Sequence, residues 1–186
     1  MTRAAPGRVL SIPAGALILS ALAGCTGPAG GTSLAEALED RAEVRALTQD
    51  LAAAARSAGL EPFDAGGGWT TCTDQGSKWQ YNADAVLHAE GDSADELPAV
   101  LAAMTEQIGL ETDGPGAFNL ETMADGTARG LDVRVRSYDD ATELVINVSG
   151  PCGRVAADRA ELDQGAGPYQ ILDIGGTHPN QQDAVP

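Results

Sequence analysis

Between Trp79 and His88 the side chains change character at every step. Trp79, Tyr81, Ala83, Ala85 and Leu87 fall on one side, while Lys78, Gln80, Asn82, Asp84 and His88 fall on the other, and only Val86 breaks the alternation. A period of two belongs to a strand with one dry and one wet side. Such a strand needs neighbours to satisfy its backbone and a second layer to cover its dry side, so the chain is committed to a sheet packed on one face. The pattern recurs downstream. Leu131, Val133 and Val135 interleave with Asp132, Arg134 and Arg136, and Leu144, Ile146 and Val148 with Glu143 and Asn147. Phe118, Leu120 and Thr122 give a weaker version, and Asp125-Gly126 then reads as the turn into the next strand. Upstream, Gly66-Gly67-Gly68-Trp69 reads as loop and Thr70–Thr73 as a short strand, joined to 79–88 by the turn Asp74-Gln75-Gly76-Ser77. On the wet face, Arg134 and Arg136 are expected to pair across strands with Glu121 or Glu143, at a few tenths of a kcal/mol each.

Two stretches carry helical spacing. Ser33-Leu34-Ala35-Glu36 has the letters of a capping box, followed by Leu38, Val44, Leu47, Leu51, Ala54 and Ala55 on one stripe and Gly59 as the stop. Ser93-Ala94-Asp95-Glu96 repeats the box ahead of Leu97, Val100, Leu101, Met104 and Ile108, ending at Gly109. The resulting order, α-β-β-α-β-β-β, predicts an α+β fold: a two-layer sandwich of about five antiparallel strands with both helices on one face. The domain is expected to span 33–160. Residues 161–186 are rich in Gly, Pro, Gln and Asp and read as a mostly irregular or disordered tail, in which Tyr169, Ile171, Leu172 and Ile174 could add a short edge segment.

The amino terminus reads differently. Arg3 and Arg8 precede an apolar run of about 14 residues, Val9 to Leu22, interrupted by Ser11, Pro13, Gly15 and Ser20. A basic head, a short apolar middle and small residues at the end make a secretory signal, and the run is shorter than the roughly 20 residues a spanning helix needs. It closes on Leu22-Ala23-Gly24-Cys25, which resembles the lipobox of bacterial lipoproteins at every position. The resemblance implies removal of residues 1–24, a diacylglycerol with palmitate-type chains on the Cys25 sulfur, and a mature chain beginning at Cys25; the alternative is an ordinary signal with a chance cysteine. Residues 25–32 would then be the lipidated cysteine and a flexible tether, reaching about 15 Å as a random coil. The expected location is the outer face of the cell membrane. Together with the short tether, the N-terminal helix and a cysteine at each end of the strands, the pattern looks like the small lipoproteins of actinobacteria, a resemblance that implies no particular reaction.

If Cys25 carries lipid, Cys72 and Cys152 are left as a pair. Outside the cytoplasm a disulfide between them would persist; two metal-binding or reactive thiols are the competing reading, although neither lies in a CxxC. Once Arg3 and Arg8 leave with the signal, 27 acids face nine bases, a net charge of −18. A surface of that sign disfavours nucleic acid and anionic lipid headgroups as partners.

Chemistry is sparse. His88 sits on the polar side of a strand and His178 in the tail, and the sequence has no G-x-S-x-G, H-E-x-x-H, P-loop or calcium-loop motif. Asn147-Val148-Ser149 has the letters of a glycosylation acceptor, a coincidence in a bacterial lipoprotein. No catalytic set, metal site or cofactor is assigned. The expected function is a non-enzymatic interaction module of the cell envelope, contacting an envelope protein through the polar face around Lys78, Gln80, Asn82, Arg134 and Arg136. One alternative is a small-ligand binder using Trp69 and Trp79 beside the glycines, with core aromatic packing as the better reading of both indoles. The other is a cell-wall hydrolase, which would need two carboxylates facing each other across a groove.

Overall fold

In the computed structural model, residues 31–72, 78–118, 121–138, 141–163 and 169–179 are described. Helix α1 spans Leu34–Ser57, and β1 (Glu61–Thr71) and β2 (Trp79–His88) form a hairpin. Helix α2 (Ser93–Ile108) leads into the short β3 (Glu111–Thr112) and β4 (Gly116–Phe118). Then come β5 (Glu121–Ala128), β6 (Leu131–Tyr138), β7 (Glu143–Ser149), α3 (Arg159–Asp163) and β8 (Gln170–Ile171). The strands join one antiparallel sheet in the order β3-β5-β6-β7-β2-β1-β8, with β4 also on β5. The α+β class and the two-layer arrangement are as the alternation requires, but the sheet has eight strands rather than about five, the additions being the short β3, β4 and β8 at its margins.

Both long helices lie on one face, α1 over β2 and β7 and α2 over β6 and β7, and they pack on each other. Val44, Leu47 and Leu51 of α1, with Leu97, Val100 and Met104 of α2, meet Tyr81, Ala83, Ala85, Leu87, Val135, Ile146 and Val148, all buried. The dry sides of β2, β6 and β7 are thus the sides that alternation assigned. Ser33 caps α1 as its sequence proposes: its hydroxyl accepts from the Glu36 N–H, and the Glu36 carboxylate accepts from the Ser33 N–H at 2.8 Å. The Ser33 N–H, joined by the Ser33 hydroxyl, which donates to the same carboxylate oxygen at 2.8 Å, lowers the Glu36 carboxyl from its ordinary value.

Four local expectations are corrected. Gly66, Gly67 and Gly68 are not loop but the middle of β1, in register with Asp84, Ala83 and Asn82. Glycine weakens a strand unless something must lie close against it, and here two rings do. The Tyr81 ring crosses Gly67 on the helix side, where a Cβ would come 2.7 Å from both the Tyr81 hydroxyl and the Asn82 carbonyl oxygen. Tyr169 lies over Gly66.

Second, the β5–β6 turn is Arg129-Gly130, not Asp125-Gly126. Both residues have positive φ (54° and 78°), joining Ala128 directly to Leu131. This is the geometry that tight hairpins prefer. An arginine in that position gives no turn signal in sequence, and the Arg129–Asp50 ion pair (2.6 Å) ties it to α1. Third, α2 is capped by Asp92, whose carboxylate accepts from the Ala94 N–H at 2.9 Å. Ser93 instead turns inward, its hydroxyl 2.7 Å from that of Ser137 and donating to the Glu143 carbonyl.

Fourth, the folded unit does not stop near residue 160. Leu162 and Leu172 are both fully buried. The Leu172 N–H donates to the Ala65 carbonyl (3.0 Å), and the Thr177 and His178 N–H groups donate to Pro62 and Phe63. The edge segment around Ile171 therefore forms as β8 and continues as a strap along β1; residues 180–186 lie outside the described chain. Because Leu172 is fully buried, Leu172→Ala is expected to cost about 2–5 kcal/mol, read from urea unfolding. A cost within about 0.5 kcal/mol, the ordinary range for surface substitutions, would return the strap to the status of a loose tail.

Candidate interaction face

The helices cover one side of the sheet, so the outward positions of five long strands make a continuous second face. Register arranges its residues in rows. One row runs Asp125, Arg134, Asn147, Asp84 across β5, β6, β7 and β2, reaching Gly66 of β1 beneath Tyr169. The next row, towards the Trp79 end, is Asp132, Ser149, Asn82 and Gly68. These side chains bind one another. Arg134 Nε donates to Asp125 Oδ1 at 2.6 Å, Asn147 Nδ2 to Asp84 Oδ1 at 2.8 Å, and Ser149 Oγ to Asn147 Oδ1 at 3.2 Å. Asn82 Nδ2 donates to Thr70 Oγ1 at 2.6 Å, and Gln80 Nε2 to the Gly150 carbonyl at 2.7 Å. Between the rows lies a shallow hollow of about 350 Å³, lined by Gln80, Asp125, Asp132, Arg134, Asn147 and Ser149.

The hydrogen bond to Asp125, and next the charge of that carboxylate, raise the Arg134 guanidinium above its ordinary value. Tyr169 is 53% exposed. Its phenol is pushed up to about 12 by partial burial and by the nearby negative charges of Asp64 and Asp84.

On the other side of the first row lies an apolar one, Met123, Val145 and Val86, interrupted by Arg136. The Arg136 Nε is buried without a hydrogen-bond partner. At the far end of the face Phe63 stacks on His88 with ring centroids 4.4 Å apart and meets the His178 edge at 5.0 Å. His88 is 3.7 Å from Glu143, and His178 is 3.8 Å from Asp64.

Of the residues that the sequence grouped, Gln80, Asn82, Arg134 and Arg136 do share this face. Lys78 stands before β2 at the hairpin end, where its carbonyl accepts from the Cys72 N–H. Arg134 pairs with Asp125 rather than with Glu121 or Glu143, because Asp125 is directly opposite it in register. The proposed aromatic ligand site does not form. Trp69 is 4% exposed, edge-on to Tyr81 at 5.3 Å, with its indole N–H donating to the Leu162 carbonyl. Trp79 packs against the core and is covered by the Arg159 guanidinium at 5.5 Å. Of the hollow's other contributors, Asp132 and Asn147 were visible in sequence as outward positions, whereas Asp125 and Ser149 were not; the convergence of all four depends on strand register.

Cys72 and Cys152 form a disulfide (S–S 1.98 Å, Cα–Cα 6.0 Å). It sits at the Trp79 end of the sheet, beside further ties. Trp79 and Gly153 exchange two backbone hydrogen bonds (2.8 and 3.0 Å), and Thr32 is bound to the same segment through Arg154 and Ala156 (2.7 and 3.1 Å). Among the described residues no group of three or more His, Cys, Asp or Glu side chains is placed to hold a metal ion. No helix among them is long and apolar enough to cross a membrane. Comparison with known proteins finds no matching family model, no similar curated protein and no similar solved structure.

Proposed function

We propose that this chain is a lipid-anchored, extracytoplasmic protein of the cell envelope that works by binding through the open face of its sheet. The lipobox-like Leu22-Ala23-Gly24-Cys25 supports the anchor. The observation that carries the binding role is the pair of polar rows already joined by hydrogen bonds around a hollow, alongside one apolar row. A surface whose side chains are already held loses less rotamer entropy when a partner arrives. Its mixture of hydrogen-bonding groups and apolar patches suits a protein partner in the envelope. The hydrolase alternative gains no support at the hollow, where Asp125 is committed to Arg134. A small polar ligand is the second reading, favoured by the hollow itself, whose volume lies at the lower end of the usual range for ligand pockets, about 300–1,000 Å³.

Photo-crosslinking in native membranes tests the assignment. A photoreactive residue at Asp132, on the open face, is expected to yield a discrete adduct. One at Glu106, on the outer side of α2, should yield none. Asn147→Lys, which removes the amide linking Asp84 to Ser149 and puts a cation into the row, is expected to reduce the Asp132 adduct at least tenfold. Adducts from Glu106 alone, or an Asp132 adduct indifferent to Asn147→Lys, would move the binding surface elsewhere.

A further inference from the structure

The chain enters the domain at the end of the sheet where Thr32 is bound to the segment 153–156. We infer that the disulfide-bearing end is the membrane-facing pole, and that the open face stands upright on it with its hollow in the membrane-near half. This rests on the proposed lipid at Cys25. Thr32 lies seven residues after Cys25, and a chain advances at most about 3.6 Å per residue, so Thr32 cannot be more than about 25 Å from the acylated cysteine. Thr32 is no loose lead-in to α1. Its N–H donates to the Arg154 carbonyl at 2.7 Å and its carbonyl accepts from the Ala156 N–H at 3.1 Å. The segment it grips is bonded both ways to Trp79 through Gly153, and its Cys152 is bridged to Cys72. The tether therefore pulls on a cross-tied end of the sheet.

From that end α1 runs 24 residues, about 36 Å at 1.5 Å per residue. The opposite end, where Glu61 pairs with His88, is thus carried away from the point of attachment. The hollow lies close to the tie. Its rows cross β2 between Gln80 and Asp84, one to five residues beyond Trp79, which is within about 17 Å at 3.3 Å per residue. The Phe63–His88–His178 cluster is at the distal end. Charged residues on the segments that meet at this end have both signs, Lys78, Arg154 and Arg159 with Asp158, Glu161 and Asp163. The orientation is therefore set by the Thr32 clip and not by attraction to lipid. A partner at the hollow must be reachable at the membrane surface.

The test uses the full acylated protein on phosphatidylcholine liposomes containing a headgroup-linked quencher, with a fluorescent amino acid placed genetically at Asp132 or at Glu90. Flotation comes first: protein that fails to float overturns the lipid reading and this inference with it. For protein that floats, quenching at 132 is expected to exceed that at 90 several-fold, and equal or reversed quenching overturns the inference alone. Thr32→Pro removes the N–H that bonds Arg154 and should bring the two positions towards equality. A difference that survives it would assign the orientation to something other than the clip.

Discussion

Cys25→Ser, made with residues 1–24 replaced by an ordinary cleavable secretion signal, is expected to move the protein completely from the membrane to the soluble extracytoplasmic fraction while leaving the folded domain unchanged. The sulfur is the proposed site of the thioether, and an alcohol does not replace a thiolate as the nucleophile that forms it. Without the lipid nothing else is expected to hold the domain. No helix among the described residues can cross a bilayer, and a mature chain with 27 acids against nine bases is repelled by anionic headgroups. A single acyl chain binds membranes with a constant of about 10⁴ M⁻¹; doubling that free energy squares the constant, to about 10⁸ M⁻¹, which separates transient from lasting attachment. The fold should survive because the disulfide joins Cys72 to Cys152 and does not use Cys25. Fractionation with a circular-dichroism melt of the released protein checks both halves. A variant that stays with the membrane would require a different anchor.

Replacing Cys72 and Cys152 together by serine should have the largest effect on stability. The bridge closes a loop of 80 residues, for which the chain-entropy model gives about 4–5 kcal/mol. Against the roughly 5–15 kcal/mol typical of a whole domain, that is a large share. At about 2–4 °C per kcal/mol for a chain of this size, Tm should fall by about 10–20 °C. The effect is expected to be regional in the native state too, because Gly153, Trp79 and Thr32 are cross-tied beside the bridge. Hydrogen exchange should speed up there before it does in β6 and β7. A loss below about 1 kcal/mol would mean that the neighbouring hydrogen bonds hold this end without the bridge.

Much of the fold was legible because burial enforces periodicity. The dry sides of β2, β6 and β7 and the stripes of α1 and α2 follow directly from where apolar residues stand. What sequence misread was decided by neighbours far away in the chain. The Gly66-Gly67-Gly68 run looks like a loop until Tyr81 and Tyr169 are known to lie against it. Arg129 carries no turn signal, yet it takes a positive φ beside Gly130. Ser93 has a better capping sequence than Asp92, but its hydroxyl is drawn inward by Ser137, 44 residues away. The interaction face was half legible for the same reason. Outward residues could be named strand by strand, but the hollow exists only because register sets Asp125 beside Arg134 and Asn147 beside Asp84. Of the two readings open for Trp69, core packing is the one that forms, its N–H being spent on the Leu162 carbonyl.

Intact-mass and peptide mass spectrometry of the protein purified from membranes tests the central claim most directly. The expected product begins at Cys25, carries a diacylglycerol on that sulfur, and yields a Cys72–Cys152 cystine peptide. A chain that begins at Met1 with Cys25 unmodified would contradict the account.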